Sequence, residues 1–216
     1  LLDVFVAPRR AFETIAATRE WLPALLVVMA LGIAGSLLVG PALEHTSVAE
    51  AVANANAGAI SPAEAARNAG TEVAWVIVFQ TAGVAMMWIW TAVILAAVSG
   101  KGPASFGVYF ALAANVALPS ALGFFISTLY IAHDPAAYAN FSQLNRAFPD
   151  SLALLEPRDN ERAVAFLSSF DVFGLWSTML LAFGLRAIGK VELFWALVTA
   201  FALWLATALL QIVPGI

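Results

Sequence analysis

Five long apolar runs, at residues 21–38, 74–98, 106–131, 172–188 and 193–213, take up so much of this 216-residue chain that the bilayer must be its solvent. Each run is about 17 residues or longer, and an α-helix of that length, rising about 1.5 Å per residue, approaches the roughly 30 Å of a hydrocarbon core. The expected fold is all-α: a polytopic membrane helical bundle. Its five transmembrane helices are expected at about 21–40, 72–99, 106–132, 170–188 and 192–213. An N-terminal interfacial helix at about 8–19 and helical outer loops complete a single bundle over 1–216.

Composition narrows the chemistry. Hydrophobic residues make up 62% and charged residues 11%, far from the roughly 25% charged of soluble proteins. A net charge of −4 with no basic stripe excludes nucleic acid as a partner. Cysteine is absent, which removes disulfides, thiolate nucleophiles, thiolate metal sites and palmitoyl anchors. The Ala- and Leu-rich composition points to a bacterial source and its cytoplasmic (inner) membrane. A cleaved signal peptide is the competing reading of the first run. The run is longer than the roughly 7–15 apolar residues of a signal-peptide core and starts some twenty residues into the chain, so a span is expected instead.

Charge sets the orientation. With the N-terminus in the cytoplasm, the short inner segments carry Arg9, Arg10, Arg19, Lys101, Arg186 and Lys190. The longer outer loops carry only Arg67, Arg146, Arg158 and Arg162. Short-loop Lys and Arg decide topology, so the N-terminus is expected inside and the C-terminus outside.

Local punctuation marks the helix ends. Pro8 suits a first helical position, and Phe12, Ile15 and Ala16 share one face of the N-terminal helix. Ser61-Pro62-Ala63-Glu64 reads as a capping box opening a helix. Gly189 is placed to be a left-handed cap closing the fourth span, and Asp171 stands at that span's N-terminal, dipole-positive end.

Helices in lipid associate through close backbone approach and polar contacts. Gly32, Ser36 and Gly40 on the first span, and Ala113, Ala117 and Ala121 on the third, form small-residue stripes expected to be packing seams. The glycine stripe is alternatively a face for a second copy of the chain. Pro119 removes a mid-span donor and predicts a kink, and Asn115, one turn earlier, is placed to satisfy a freed backbone group. The intramembrane polar residues Gln80, Asn115 and Ser120 are neutral, and no Asp, Glu, Lys or His lies at the centre of a run. Interhelical hydrogen bonding is therefore expected of them, rather than a proton or ion path.

Catalytic and cofactor motifs are missing. There is no phosphate-binding or dinucleotide glycine loop, no GxSxG elbow and no HExxH. Glu44-His45 and His133-Asp134 follow the first and third runs, so they could share a zinc ion if those helix ends adjoin. Without metal-ligand spacing they read instead as solvated loop residues. The expectation is a protein with no cofactor and no enzymatic activity.

Leu2-Asp3-Val4-Phe5, then Ala7-Pro8-Arg9-Arg10-Ala11-Phe12-Glu13 and Trp21-Leu22, resemble the start of the Yip-one (Ypt-interacting protein) domain family. The stretch Phe170-Asp171-Val172-Phe173-Gly174-Leu175-Trp176, running through Gly184-Leu185 to Gly189-Lys190, is similar to that family's fourth span, and Pro119 fits its mid-span proline. The resemblance implies a five-span bundle with a cytoplasmic N-terminus. It also implies a trafficking-like role: scaffolding partners or shaping the membrane, with lipids, other membrane proteins and further copies of itself as partners. Eukaryotic members interact with prenylated Rab-type GTPases. The alternative reading is a lipid or small-molecule transporter, or a scramblase, with a polar path near Gln80, Asn115 and Ser120.

Overall fold

The structure, a computed structural model, describes residues 3–55, 61, 64, 67, 71, 86–100, 105–138, 140–156 and 160–210. Its elements are helices: α1 (Asp3–Val6), α2 (Pro8–Thr18), α3 (Leu22–Ala55), α4 (Met86–Val98) and α5 (Phe106–Val116). The order continues with α6 (Leu118–His133), α7 (Phe141–Asn145), α8 (Glu161–Ser168), α9 (Val172–Gly189) and α10 (Leu193–Leu210). Among the described residues there is no strand, only an isolated bridge between Ser151 and Asp171.

Among the described residues three stretches are long and apolar enough to cross a membrane: Leu22–Ala49, Phe106–His133 and Val172–Gly189. The described parts of two further apolar helices, Met86–Val98 and Leu193–Leu209, are shorter. Most of the expected second span lies outside the described residues, including Gln80. The helix that carries the first expected span does not end near residue 40. Pro41 is carried inside α3, which continues to Ala55 over 34 residues. At about 1.5 Å per residue that is about 50 Å, well beyond the hydrocarbon thickness.

The side-chain distribution is the reverse of a soluble protein's. Along α10, Ala196, Ala200 and Ala208 are buried while Phe194, Val198, Phe201, Leu205 and Leu209 are exposed at helical spacing. On α3, Leu22, Leu26, Ile33 and Leu37 form a similar outward stripe. Small residues let backbones approach, and the large apolar side chains face a medium as apolar as themselves. In water such stripes would be an aggregation hazard.

The chain divides into two compact units. The first comprises Leu1–Leu31, Ala82–Leu122 and Val172–Thr207. Its core joins Val4, Phe12 and Ile15 of α1 and α2 to Leu95, Tyr109, Leu112, Leu181 and Leu185. A neighbouring cluster gathers Ala24, Val28, Trp88, Ala113 and Leu118, with Ala117 and Ala121 packed at its edge.

The second unit comprises Gly32–Thr81, Gly123–Asp171 and Ala208–Ile216. Val39, Ala42, Ile131 and Leu144 form its core. Asn140 caps α7, its side-chain oxygen accepting from the Gln143 N–H at 2.9 Å, and Asn160 caps α8 by accepting from the Ala163 N–H at 3.2 Å. Ser61 and Glu64 make the expected capping box. The Ser61 N–H donates to Glu64 Oε2 at 3.1 Å, and the Glu64 N–H donates to Ser61 Oγ at 3.3 Å.

Two close approaches differ from the stripes read off the sequence. A Cβ added at Gly32 would meet nothing within 4 Å, whereas one at Gly35 would stand 2.6 Å from Phe124 Cε1 and 3.0 Å from Thr128 Oγ1. The α3 seam of this unit therefore runs through Gly35, buried Ser36, Val39 and Ala42, not through Gly32. Gly189 is likewise not the left-handed cap. It closes α9, and the positive φ of 55° belongs to Lys190. Space is tight at 189, where an added Cβ would stand 3.2 Å from Leu185 Cδ1, Tyr109 Oη and Val191 Cγ2.

Candidate functional site

Within the first unit, α1 and α2 turn the N-terminal segment into a fitted layer over α5 and α9. Pro8 occupies the start of α2 with its φ already helical. Ala11, Phe12 and Ile15 fall on one face and are buried, while Glu13, Thr14, Ala17 and Thr18 are exposed. Arg19 ends the helix at a φ of 56°, and its N–H donates to the Ile15 carbonyl at 2.8 Å. A non-glycine residue in the left-handed region costs about 1–2 kcal/mol, so this chain reversal is held by its surroundings.

Aromatic contacts fix the layer. Phe5 meets Trp176 edge-on with ring centres 5.2 Å apart, and Trp21 meets Phe110 in the same way at 5.4 Å. Asn115, 3% exposed, adds a polar anchor. Its side-chain amide donates to the Ala111 carbonyl at 2.9 Å and to the Glu20 carbonyl at 3.2 Å. It therefore ties α5 to the linker that joins α2 to α3.

That role corrects the expectation that Asn115 repairs the helix break at Pro119. The break is real in form: α5 ends at Val116, Ala117 is a turn residue and α6 begins at Leu118. Next to the break, the backbone and hydroxyl of Ser120 are met by Ser177, a residue the sequence reading did not single out. The Ser120 N–H donates to Ser177 Oγ at 3.2 Å, and the two hydroxyls share a hydrogen bond of 2.8 Å. Another feature missed was Tyr109, whose fully buried hydroxyl has no hydrogen-bond partner among the described residues. Its signal was faint, a Tyr near the start of an Ala-rich apolar run.

Recesses adjoin α2 among the described residues. One, of about 160 Å³, is lined by oxygen-bearing side chains, among them Asp3, Thr14, Thr18, Glu20 and Asn115. Another, of about 550 Å³, lies between α2 and α9. Arg9 and Glu13 at its edge form an i,i+4 pair, Nε to Oε1 at 3.2 Å. At 90% side-chain exposure for Arg9 this pair adds little stability and serves to orient the two side chains.

In the second unit, Glu44, His45, His133 and Asp134 are all exposed. The His45 Nδ1–H donates to the Tyr138 carbonyl at 3.3 Å. Among the described residues no three His, Asp or Glu side chains are grouped to hold a metal ion, so these two pairs are not gathered into a ligand set. Asp171 directly precedes α9, at the position expected of a capping carboxylate, and bridges to Ser151 through the backbone. Asp150 nearby has its carboxyl pushed above the ordinary range, first by burial and then by the negative charge of Asp171.

A family model described as the Yip1 domain matches residues 2–213, essentially the whole chain. No curated protein and no solved structure matches it significantly.

Proposed function

The chain belongs to the Yip1 domain family, and from that premise we propose that it is a non-enzymatic integral membrane protein that scaffolds partners or organises the membrane around it. The observation that carries this reading is what the polar residues of its helices do. Asn115 is spent on backbone carbonyls, Ser120 and Ser177 on each other, and Thr178 on the Gly174 carbonyl at 2.8 Å. These bonds are made to the residue's own helix backbone or across to a neighbouring segment, and the described apolar helices carry no Asp, Glu or Lys near their centres. The matched family and the outward apolar stripes of α3 and α10 support the membrane setting.

In this reading residues 1–216 form one bundle of five spans, at about 21–40, 72–99, 106–132, 170–188 and 192–213. It sits in a bacterial inner membrane, with the N-terminus in the cytoplasm and the C-terminus outside. The exposed face of α2, lying at the inner interface, and the turn joining α9 to α10 are its contact surface for other membrane proteins or a second copy. A transporter or scramblase path near Asn115 and Ser120 gains no support from their hydrogen bonding.

Reconstitution separates the two. Proteoliposomes of the purified chain should move lipid and small solutes no faster than empty vesicles. Movement above that background, abolished by Asn115→Leu, would replace the scaffold with a conduit.

A further inference from the structure

The recess of about 550 Å³ between α2 and α9 is lined by Pro8, Arg9, Glu13, Phe183, Arg186 and Ala187, and its volume falls in the range of about 300–1,000 Å³ usual for small-ligand sites. We propose that it is a binding site for the phosphodiester headgroup of an anionic phospholipid. The proposal rests on the membrane setting described above and adds to it a ligand class.

Depth comes first. Arg186 lies in the last turn of α9, a helix long and apolar enough to span the bilayer. Its guanidinium is thus at headgroup level in whichever leaflet that end occupies, where long basic side chains naturally emerge. Beside it, Phe183 and Ala187 offer apolar surface one turn deeper and one residue on, suited to the glycerol and upper acyl chain.

Charge decides the rest. Among the described residues Arg186 has neither an ion pair nor a hydrogen-bond partner, so its planar fork is free. Arg9 commits only Nε, to Glu13 Oε1 at 3.2 Å, and leaves its terminal nitrogens available. Guanidinium forks match phosphate oxygens in pairs, which a single ammonium does not. Two guanidiniums and one carboxylate leave a net charge of +1, the complement of a monoanionic diester. The negative end of α9 opposes an anion there, so binding depends on the two arginines and not on the helix.

The test uses the full chain, delipidated in detergent and titrated with phosphatidylglycerol, with phosphatidylcholine of the same chains, or with inorganic phosphate. Binding is read by thermal unfolding and by native mass spectrometry. Phosphatidylglycerol should bind saturably and raise the melting temperature more than phosphatidylcholine. Arg186→Gln should weaken its binding about tenfold or more, and Arg9→Gln several-fold. Arg10→Gln removes the same charge one residue along α2, outside the recess, and should change binding less than twofold. Arg186 is exposed, so its replacement leaves the core intact, and Arg186→Lys should recover only part of the loss. The proposal is overturned by equal binding of the two lipids, or by Arg186→Gln and Arg10→Gln behaving alike. Inorganic phosphate binding with the same dependence on Arg186 would also overturn it, as that identifies a site for free phosphate.

Discussion

Asn115 donates its side-chain amide to the backbone carbonyl of Glu20, 3.2 Å away and 95 positions earlier in the chain. One buried side chain thereby fixes where α2 hands over to α3 and how the N-terminal layer sits on α5. Replacement by Leu keeps the approximate size and removes both of its hydrogen bonds. Asn115→Leu is expected to lower stability by about 1–2 kcal/mol, the cost of leaving partners unmet in a buried site. Thermal unfolding in detergent measures this. Limited trypsin digestion should also cut more readily after Arg19, since the linker loses its anchor.

Gly189 and Tyr109 form a second testable pair. A Cβ at position 189 would stand 3.2 Å from Tyr109 Oη, and that hydroxyl is buried without a partner. Gly189→Ala should destabilise by about 1–3 kcal/mol through overpacking. Tyr109→Phe should be neutral or stabilising, because it removes an unmet hydroxyl. The double variant should be more stable than the sum of the singles, since the smaller ring yields the space the methyl needs. Additive effects in a double-mutant cycle would show that the two residues do not compete for that space.

Ser177 accepts from the Ser120 N–H beside the helix interruption at Ala117. Ser177→Ala should cost about 1–2 kcal/mol by leaving the Ser120 N–H unpartnered at the break. With Pro119→Ala in the background the helix is free to continue through 117, so the same serine substitution should then cost much less. Equal costs in both backgrounds, measured by unfolding in detergent, would remove Ser177 from this role.

Asp150 gives the second unit a pH dependence with a defined sign. Its folded-state pKa is raised, by burial first and by Asp171 second, so the folded state holds the proton more tightly than the unfolded state. Its contribution to stability is therefore greatest below the ordinary carboxylate pKa and declines as pH rises through the raised value. Asp150→Asn should stabilise the protein at neutral pH and flatten the melting-temperature profile across the mildly acidic range. A parent and variant with parallel profiles would contradict the assignment.

The sequence was most legible where chemistry is local. Pro8 opens α2, Ser61 and Glu64 cap as their spacing requires, and apolar length identified helices able to span a membrane. It was least legible where the outcome depends on which neighbour arrives. Nothing in the run around Gly32 says that Phe124 will press on Gly35 instead, although Gly35, Ser36, Val39 and Ala42 do follow a helical repeat. Gly189 looked like a cap because glycine favours positive φ, yet the tight space beside Tyr109 claims it and Lys190 takes the left-handed turn. Asn115 was recognised as polar and central, but its partner at Glu20 is fixed by tertiary folding. The sequence expects a kink at Pro119, while the serine that meets Ser120 beside the interruption at Ala117 lies on another helix.

The central claim, that the exposed face of α2 is a contact surface of a membrane scaffold, has a direct test because the chain contains no cysteine. A single thiol introduced at Ala17, exposed on α2, can be compared in native membranes with one at Val198, on the outward apolar stripe of α10. Treatment with a thiol-reactive crosslinker and separation of the products gives the readout. Discrete, reproducible protein adducts from position 17 and none from position 198 are the predicted result. No specific adduct from position 17, or the same products from both positions, would contradict it.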